Sequence, residues 1–155
     1  MADQTIRIDD LRRESGATLL KMTDEVGFGA VGAAWIYSRE SDRWWFLLVT
    51  PMMDTKGPLW IYERLLRVFS KWKLPEGITP LDIGIASPRE EGFRRFPIKS
   101  LSAVDQMGLS MELRDFVVNG TKIDYAVLYR MTEFGKRTPD PSRLFDLRVR
   151  QLLAA

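Results

Sequence analysis

Residues 27–37 read Gly27-Phe28-Gly29-Ala30-Val31-Gly32-Ala33-Ala34-Trp35-Ile36-Tyr37. The first six, GFGAVG, spell G-x-G-x-x-G, the phosphate-cradling fingerprint of dinucleotide sites and of the kinase glycine-rich loop. A dinucleotide site needs a buried strand before those glycines and a helix after them, because the helix N-terminus holds the phosphate. Here the order is the reverse. Lys21-Met22-Thr23-Asp24-Glu25-Val26 is polar and closes a helical pattern, and Ala33 to Tyr37 alternates like a strand. A kinase loop does lie between strands, but 155 residues are too few for a protein kinase and no HRD or DFG follows. The glycines are therefore read as a way out of a helix and into a strand that approaches its neighbours closely.

Upstream, Asp9 and Asp10 open a helix to about Met22, with Ile8, Leu11, Ser15, Leu19, Met22 and Val26 at helical spacing. Gly16 interrupts it and weakens the pattern. Downstream, Val31, Ala33, Trp35 and Tyr37 share one face of a strand, and Ser38 to Asp42 turns the chain. Trp44, Phe46 and Leu48 then alternate with Trp45, Leu47 and Val49, so this second strand is apolar on both faces and reads as central. Gly57-Pro58 starts the strongest helix, with Ile61, Leu65, Val68 and Trp72 in one stripe widened by Tyr62, Leu66 and Phe69; Leu74 to Gly77 ends it. Leu81, Ile83 and Ile85 mark a short third strand. Ser102 to Gly108 reads as a one- or two-turn helix. Leu109–Val118 and Thr121–Met131 are joined by Asn119-Gly120, a strong hairpin signal. Asp140-Pro141 caps a last helix with Phe145, Val149 and Leu152 inward.

The order is α-ββ-α-β-(α)-ββ-α, in which only the link from Val49 to Leu81 can be a βαβ crossover. That predicts an α+β fold over residues 1–155 as one domain: about five strands, antiparallel or mixed, built from two hairpins plus one strand, with three or four helices packed mainly on one face.

Composition bounds the chemistry. There is no histidine and no cysteine among the 155 residues. That excludes Ser-His-Asp triads, thiol nucleophiles, thiolate zinc sites and iron–sulfur clusters within the chain. Net charge is +2 with charges of both signs interspersed, so a pI near 9.0 says little about partners. The N-terminus lacks a signal-peptide pattern, and the longest apolar run, Trp44–Val49, is six residues, too short to span a membrane. A cytoplasmic protein with no membrane partner is expected, and 16 Arg against 7 Lys points to a bacterial source.

Three groups of residues offer function. In a two-residue Asn119-Gly120 hairpin, Val118 opposes Thr121, Phe116 opposes Ile123 and Asp115 opposes Asp124. Facing carboxylates repel unless a cation or a shared proton intervenes. Asp115 and Asp124, with Asp82, are thus candidate Mg²⁺ ligands of a phosphoester hydrolase or nuclease, helped by Glu112 or Lys122. A bulge at the turn would separate them and leave two solvated aspartates. Next, Arg89, Arg94, Arg95 and Lys99, interleaved with Phe93 and Phe96, are candidates for nucleic-acid or anion binding, extended by Lys136, Arg137 and Arg143. Glu90 and Glu91 oppose that use, since a phosphate footprint is a one-signed stripe. Finally, Trp35, Trp44, Trp45 and Trp60 are candidates for a pocket or an interface; Trp44 and Trp45 must point to opposite faces of their strand. With the commonest catalytic residue types missing and aromatic surface abundant, the leading expectation is a non-catalytic binding module, needing no cofactor, whose partner is another protein or a second copy.

Overall fold

The computed structural model describes residues 6–90, 111–118, 121–132 and 138–155. Helix α1 (Asp10–Glu25) starts where the Asp9 carboxylate accepts the Arg12 backbone N–H at 2.7 Å. It ends on the first glycine of GFGAVG. Gly27 adopts φ +78° and donates to the Asp24 carbonyl, and Phe28 N–H donates to the Thr23 carbonyl. That is a Schellman cap, which requires a left-handed residue after the helix and buries the next side chain. Phe28 is accordingly fully buried, edge-on to Phe145 at 5.2 Å. The chain then enters strand β1 (Gly32–Ser38), so the helix–glycine–strand order read from the sequence holds.

Strand β1 pairs antiparallel with β2 (Arg43–Val49) through a four-residue turn. A one-turn helix α2 (Met52–Thr55), too short to leave a periodic signal, precedes α3 (Pro58–Lys71). A 3₁₀ turn (Pro80–Asp82) leads into β3 (Ile83–Ala86), which runs parallel to β2. The link from Val49 to Leu81 is therefore the βαβ crossover. Strands β4 (Met111–Val118) and β5 (Thr121–Met131) pair antiparallel, and β5 also pairs with β1; helix α4 (Ser142–Ala154) closes the chain. The result is one five-stranded mixed sheet, mostly antiparallel, in the order β3-β2-β1-β5-β4. The α+β class expected from the sequence is what the structure shows. The helix expected at Ser102–Gly108 and the Asn119-Gly120 turn lie outside the described residues.

The main core lies on one sheet face, where Ala33, Trp35, Tyr37, Phe46, Leu48, Tyr125, Val127 and Tyr129 meet Leu19 and Leu20 of α1, Met52 of α2, Ile61, Leu65 and Val68 of α3, and Phe145 and Val149 of α4. Each fully buried side chain of this size stabilises the fold by about 1.5–3 kcal/mol. On the opposite face Ala34, Ile123, Ala126, Leu128 and Met131 form a smaller cluster with Ile36, Leu113 and Phe116.

The sheet holds α1 with polar tips as well as apolar surface. Trp35 Nε1–H donates to the Arg12 carbonyl at 2.9 Å and the Tyr129 hydroxyl to the Arg13 carbonyl at 2.8 Å. Gly16 is what permits that approach: a Cβ there would lie 2.6 Å from Trp35 Nε1 and 2.7 Å from the Tyr129 oxygen. The residue that weakens the helical pattern is thus the helix–sheet contact point. A register shift between Ala33 and Ala34 leaves Tyr129 as the extra residue of β5. The bulge lets Tyr129 and Arg130 both reach the helix side, where Arg130 donates to both Asp24 carboxylate oxygens at 2.9 and 2.7 Å and to the Ala30 carbonyl at 3.2 Å. Arg130 so ties the end of α1 to the glycine-bearing loop.

Candidate interaction surface

The four candidate tryptophans separate in the fold. Trp35 is 1% exposed, at the centre of the core, edge-on to Trp44 and Phe46. Trp44, Trp45 and Trp60 are half-buried, and each carries a cation from its own chain. The Arg12 guanidinium lies 4.8 Å from the Trp44 ring centre and Arg43 lies 5.7 Å from that of Trp45. Arg64 stacks on Trp60 at 3.7 Å, with the Lys56 ammonium at 5.5 Å. Such contacts occupy aromatic faces that would otherwise be open. Arg64 also donates to Asp146 at 2.9 Å and so joins α3 to α4; that hydrogen bond, more than any other neighbour, holds the Asp146 carboxyl below the usual carboxylate range.

The unshifted register on either side leaves Asp115 across from Asp124, but Asp82 does not join them. Phe116 pairs with Ile123 and Val118 with Thr121, as the hairpin signal predicts, but Asp115 takes φ +51° and the alternation resets there. Arg114, one residue before, lies 4.4 Å over the Tyr125 ring on the helix-covered face, whereas Phe116 and Ile123 belong to the other face. Asp115 is exposed. Asp124 turns to the first hairpin, where its Oδ2 accepts the Arg39 backbone N–H at 2.7 Å and its Oδ1 lies 3.7 Å from Lys122 Nζ. Asp82 sits before β3, at the opposite edge of the sheet from β4, and accepts the Thr79 backbone N–H and hydroxyl as a cap. Among the described residues no group of three or more acidic side chains is placed to hold a metal ion.

Of the basic candidates, Arg89 is exposed in a turn after β3; its N–H donates to the Ser87 hydroxyl, which in turn donates to the Asp54 carboxylate at 2.8 Å. Arg143 is exposed in the first turn of α4. Arg94, Arg95, Lys99, Lys136 and Arg137 lie outside the described residues. A cleft of about 70 Å³ between Arg12, Ser15 and Gly77 has room for a few waters.

Among the described residues, apolar side chains are left open at the β3 edge, as are Val117 on β4 and Leu144 and Leu147 on α4. Helix α3 carries two stripes. Ile61, Leu65 and Val68 are buried in the core. Leu59, Tyr62, Leu66 and Phe69 recur at intervals of three, four and three, the spacing of a helix–helix seam. Leu59 is 73% exposed and Leu66 50% exposed, and Leu81, in the 3₁₀ turn before β3, is 82% exposed. Tyr62, Leu66 and Phe69 line a small cleft with Pro80 and Ile83, so this stripe abuts the edge strand directly. The Tyr62 hydroxyl donates to the Ile83 carbonyl at 2.8 Å. Among the described residues no strand lies beyond β3. Sequence reasoning saw Tyr62, Leu66 and Phe69 only as a widening of the core stripe, did not single out Leu59, and counted Leu81 into the third strand, whereas it lies in the 3₁₀ turn before β3. The signal was the second a/d-type spacing on one helix.

Comparison of the chain with family models, with curated proteins and with solved structures finds no match. Among the described residues no helix is long and apolar enough to cross a membrane.

Proposed function

We propose that this chain is a non-catalytic protein-binding module that works through the α3–β3 edge. The observation that carries the reading is the continuity of exposed Leu59, Leu66 and Leu81 with an edge strand that has nothing paired beyond it among the described residues. Scattered surface leucines are ordinary, whereas apolar side chains grouped beside an open strand edge mark association sites. The composition supports the same reading: without histidine or cysteine the chain lacks the commonest general base and the strongest nucleophile.

The test is position-specific crosslinking in cells. A photoreactive phenylalanine analogue is placed at Leu66, and as a control at exposed Lys21 on α1. The reading expects a discrete protein adduct from position 66 and none from position 21. Equal yields, or no adduct from position 66, would count against it.

A further inference from the structure

Besides its core and edge stripes, α3 has a third flank, and it is basic. Arg64, Arg67 and Lys71 recur at intervals of three and four and so share one side of the helix. That side is turned toward α4, because Arg64 donates to Asp146 at 2.9 Å and the Lys71 ammonium donates to the Ala155 oxygen at 3.4 Å. On α4, Arg143 and Arg150 lie seven residues apart, two helical turns, and Arg150 Nη2 lies 2.9 Å from Asp146. Trp60 meets Phe145, Arg64 meets Asp146 and Lys71 meets Ala155, so the two helices run parallel and the five cations line both sides of their seam.

We propose that this seam binds the phosphate backbone of a nucleic acid. It is a different surface from the α3–β3 edge and goes beyond the protein-binding reading.

Charge singles out this layer. Residues 56–73 and 142–155 hold eight Lys and Arg against Glu63 and Asp146, net +6. The whole chain is net +2, so everything else is net −4, and residues 9–25 carry five acids and three bases. Charges that interleave along the sequence therefore separate in the fold, and a one-signed stripe is the footprint that phosphate binding needs. Asp146 does not break the stripe, because its carboxylate, 28% exposed, is taken up by Arg64 and Arg150. Arg67 and Arg143 are exposed and have no ion-pair partner among the described residues.

Shape selects a linear polyanion. Helix α3 has 14 residues and so is about 20 Å long, and packed helices lie about 8–10 Å apart. The seam is thus a shallow, straight groove flanked by cations. One strand of a duplex places about six phosphates along such a length. Four of the five flanking cations are arginines, whose planar fork matches two phosphate oxygens at once. The contact is to backbone alone and is independent of base sequence.

The experiment is fluorescence anisotropy of the full chain with a labelled DNA duplex of about 20 base pairs, between about 50 and 200 mM salt. Wild type is expected to bind, with log K falling against log salt at a slope of about −3 to −5. Arg67→Glu with Arg143→Glu is expected to weaken binding at least about tenfold and to flatten the slope by about 2, with circular dichroism and unfolding midpoint retained. Arg7→Glu with Lys21→Glu changes two exposed cations away from the seam by the same charge and is expected to weaken binding no more than about threefold. No binding at the lowest salt, or equal losses from the two double variants, overturns the inference. Poly-L-glutamate that displaces the duplex charge for charge overturns it too, and marks an acidic protein as the partner class. None of these outcomes bears on the adduct at position 66, so the edge reading stands or falls separately.

Discussion

Replacing Gly16 by alanine opposes two effects of known size. In a helix interior alanine is favoured over glycine by about 1 kcal/mol, so local propensity alone makes Gly16→Ala stabilising. The new methyl, however, would sit 2.6 Å from Trp35 Nε1, 2.7 Å from the Tyr129 oxygen and 2.9 Å from Tyr129 Cζ. Neither ring can swing aside cheaply. Trp35 is locked edge-on to Trp44 and Phe46, and Tyr129 packs against Phe46 at 5.8 Å. Overpacking of this kind costs about 1–3 kcal/mol. Pushing α1 away also lengthens the hydrogen bonds to the Arg12 and Arg13 carbonyls, each worth about 0.5–1.5 kcal/mol. Crowding therefore outweighs propensity, with a net loss of about 1–5 kcal/mol. Urea unfolding followed by tryptophan fluorescence reads it, with Ala17→Gly on the exposed side of the same helix reporting the propensity term alone. Adding Tyr129→Phe removes one clashing atom, so the double variant should lose less than the sum of the two singles. A Gly16→Ala protein as stable as wild type, or about 1 kcal/mol more stable, would refute the close-contact account of α1.

Other outcomes follow from single contacts. Asp24→Asn removes the carboxylate that pairs with the Arg130 guanidinium, whose side chain is only 10% exposed, and should cost about 1–3 kcal/mol in urea unfolding, more than Arg130→Met, which removes the charge itself. Asp115→Val places a β-branched residue at φ +51° and should destabilise by about 1–2 kcal/mol, whereas Asp115→Gly should be neutral or stabilising by the same assay. The Asp146 carboxyl is depressed below its ordinary value of 3.8, chiefly by its hydrogen bond from Arg64. A depressed acid contributes stability above its unfolded pKa and loses it as pH falls through the folded one. The stability gap between wild type and Asp146→Asn should therefore be full at pH 7 and should close below about pH 4; a gap that widens in acid would contradict the assignment.

Much of the fold was legible because its signals are local. Gly27 follows a polar helix end and precedes an alternating run, which identifies a helix C-cap rather than a phosphate loop. The distance from Val49 to Leu81 holds one helix and so permits a parallel crossover. The Asn119-Gly120 dipeptide implies the pairing of Phe116 with Ile123 that the structure shows. What was not legible depends on distant partners. The left-handed turn at Asp115 resets the alternation between the Arg114–Tyr125 pair and the Phe116–Ile123 pair, and nothing next to Asp115 in sequence announces it. The bulge at Tyr129 exists because α1 offers carbonyls to reach. Arg12 covers Trp44 from 32 residues away, so aromatic abundance overstated the open aromatic surface. Leu59 and Leu66 are visible on a helical wheel, but only the placement of β3 at the sheet edge shows that nothing in the described fold covers them.

The working-surface claim is tested most directly by amide hydrogen exchange of the two sheet edges with and without the protein captured by crosslinking from position 66. Binding through the α3–β3 edge predicts that Ile83–Ala86 gains protection when that protein is present while Met111–Val118 does not. Protection that grows equally at both edges, or only along Met111–Val118, would contradict it.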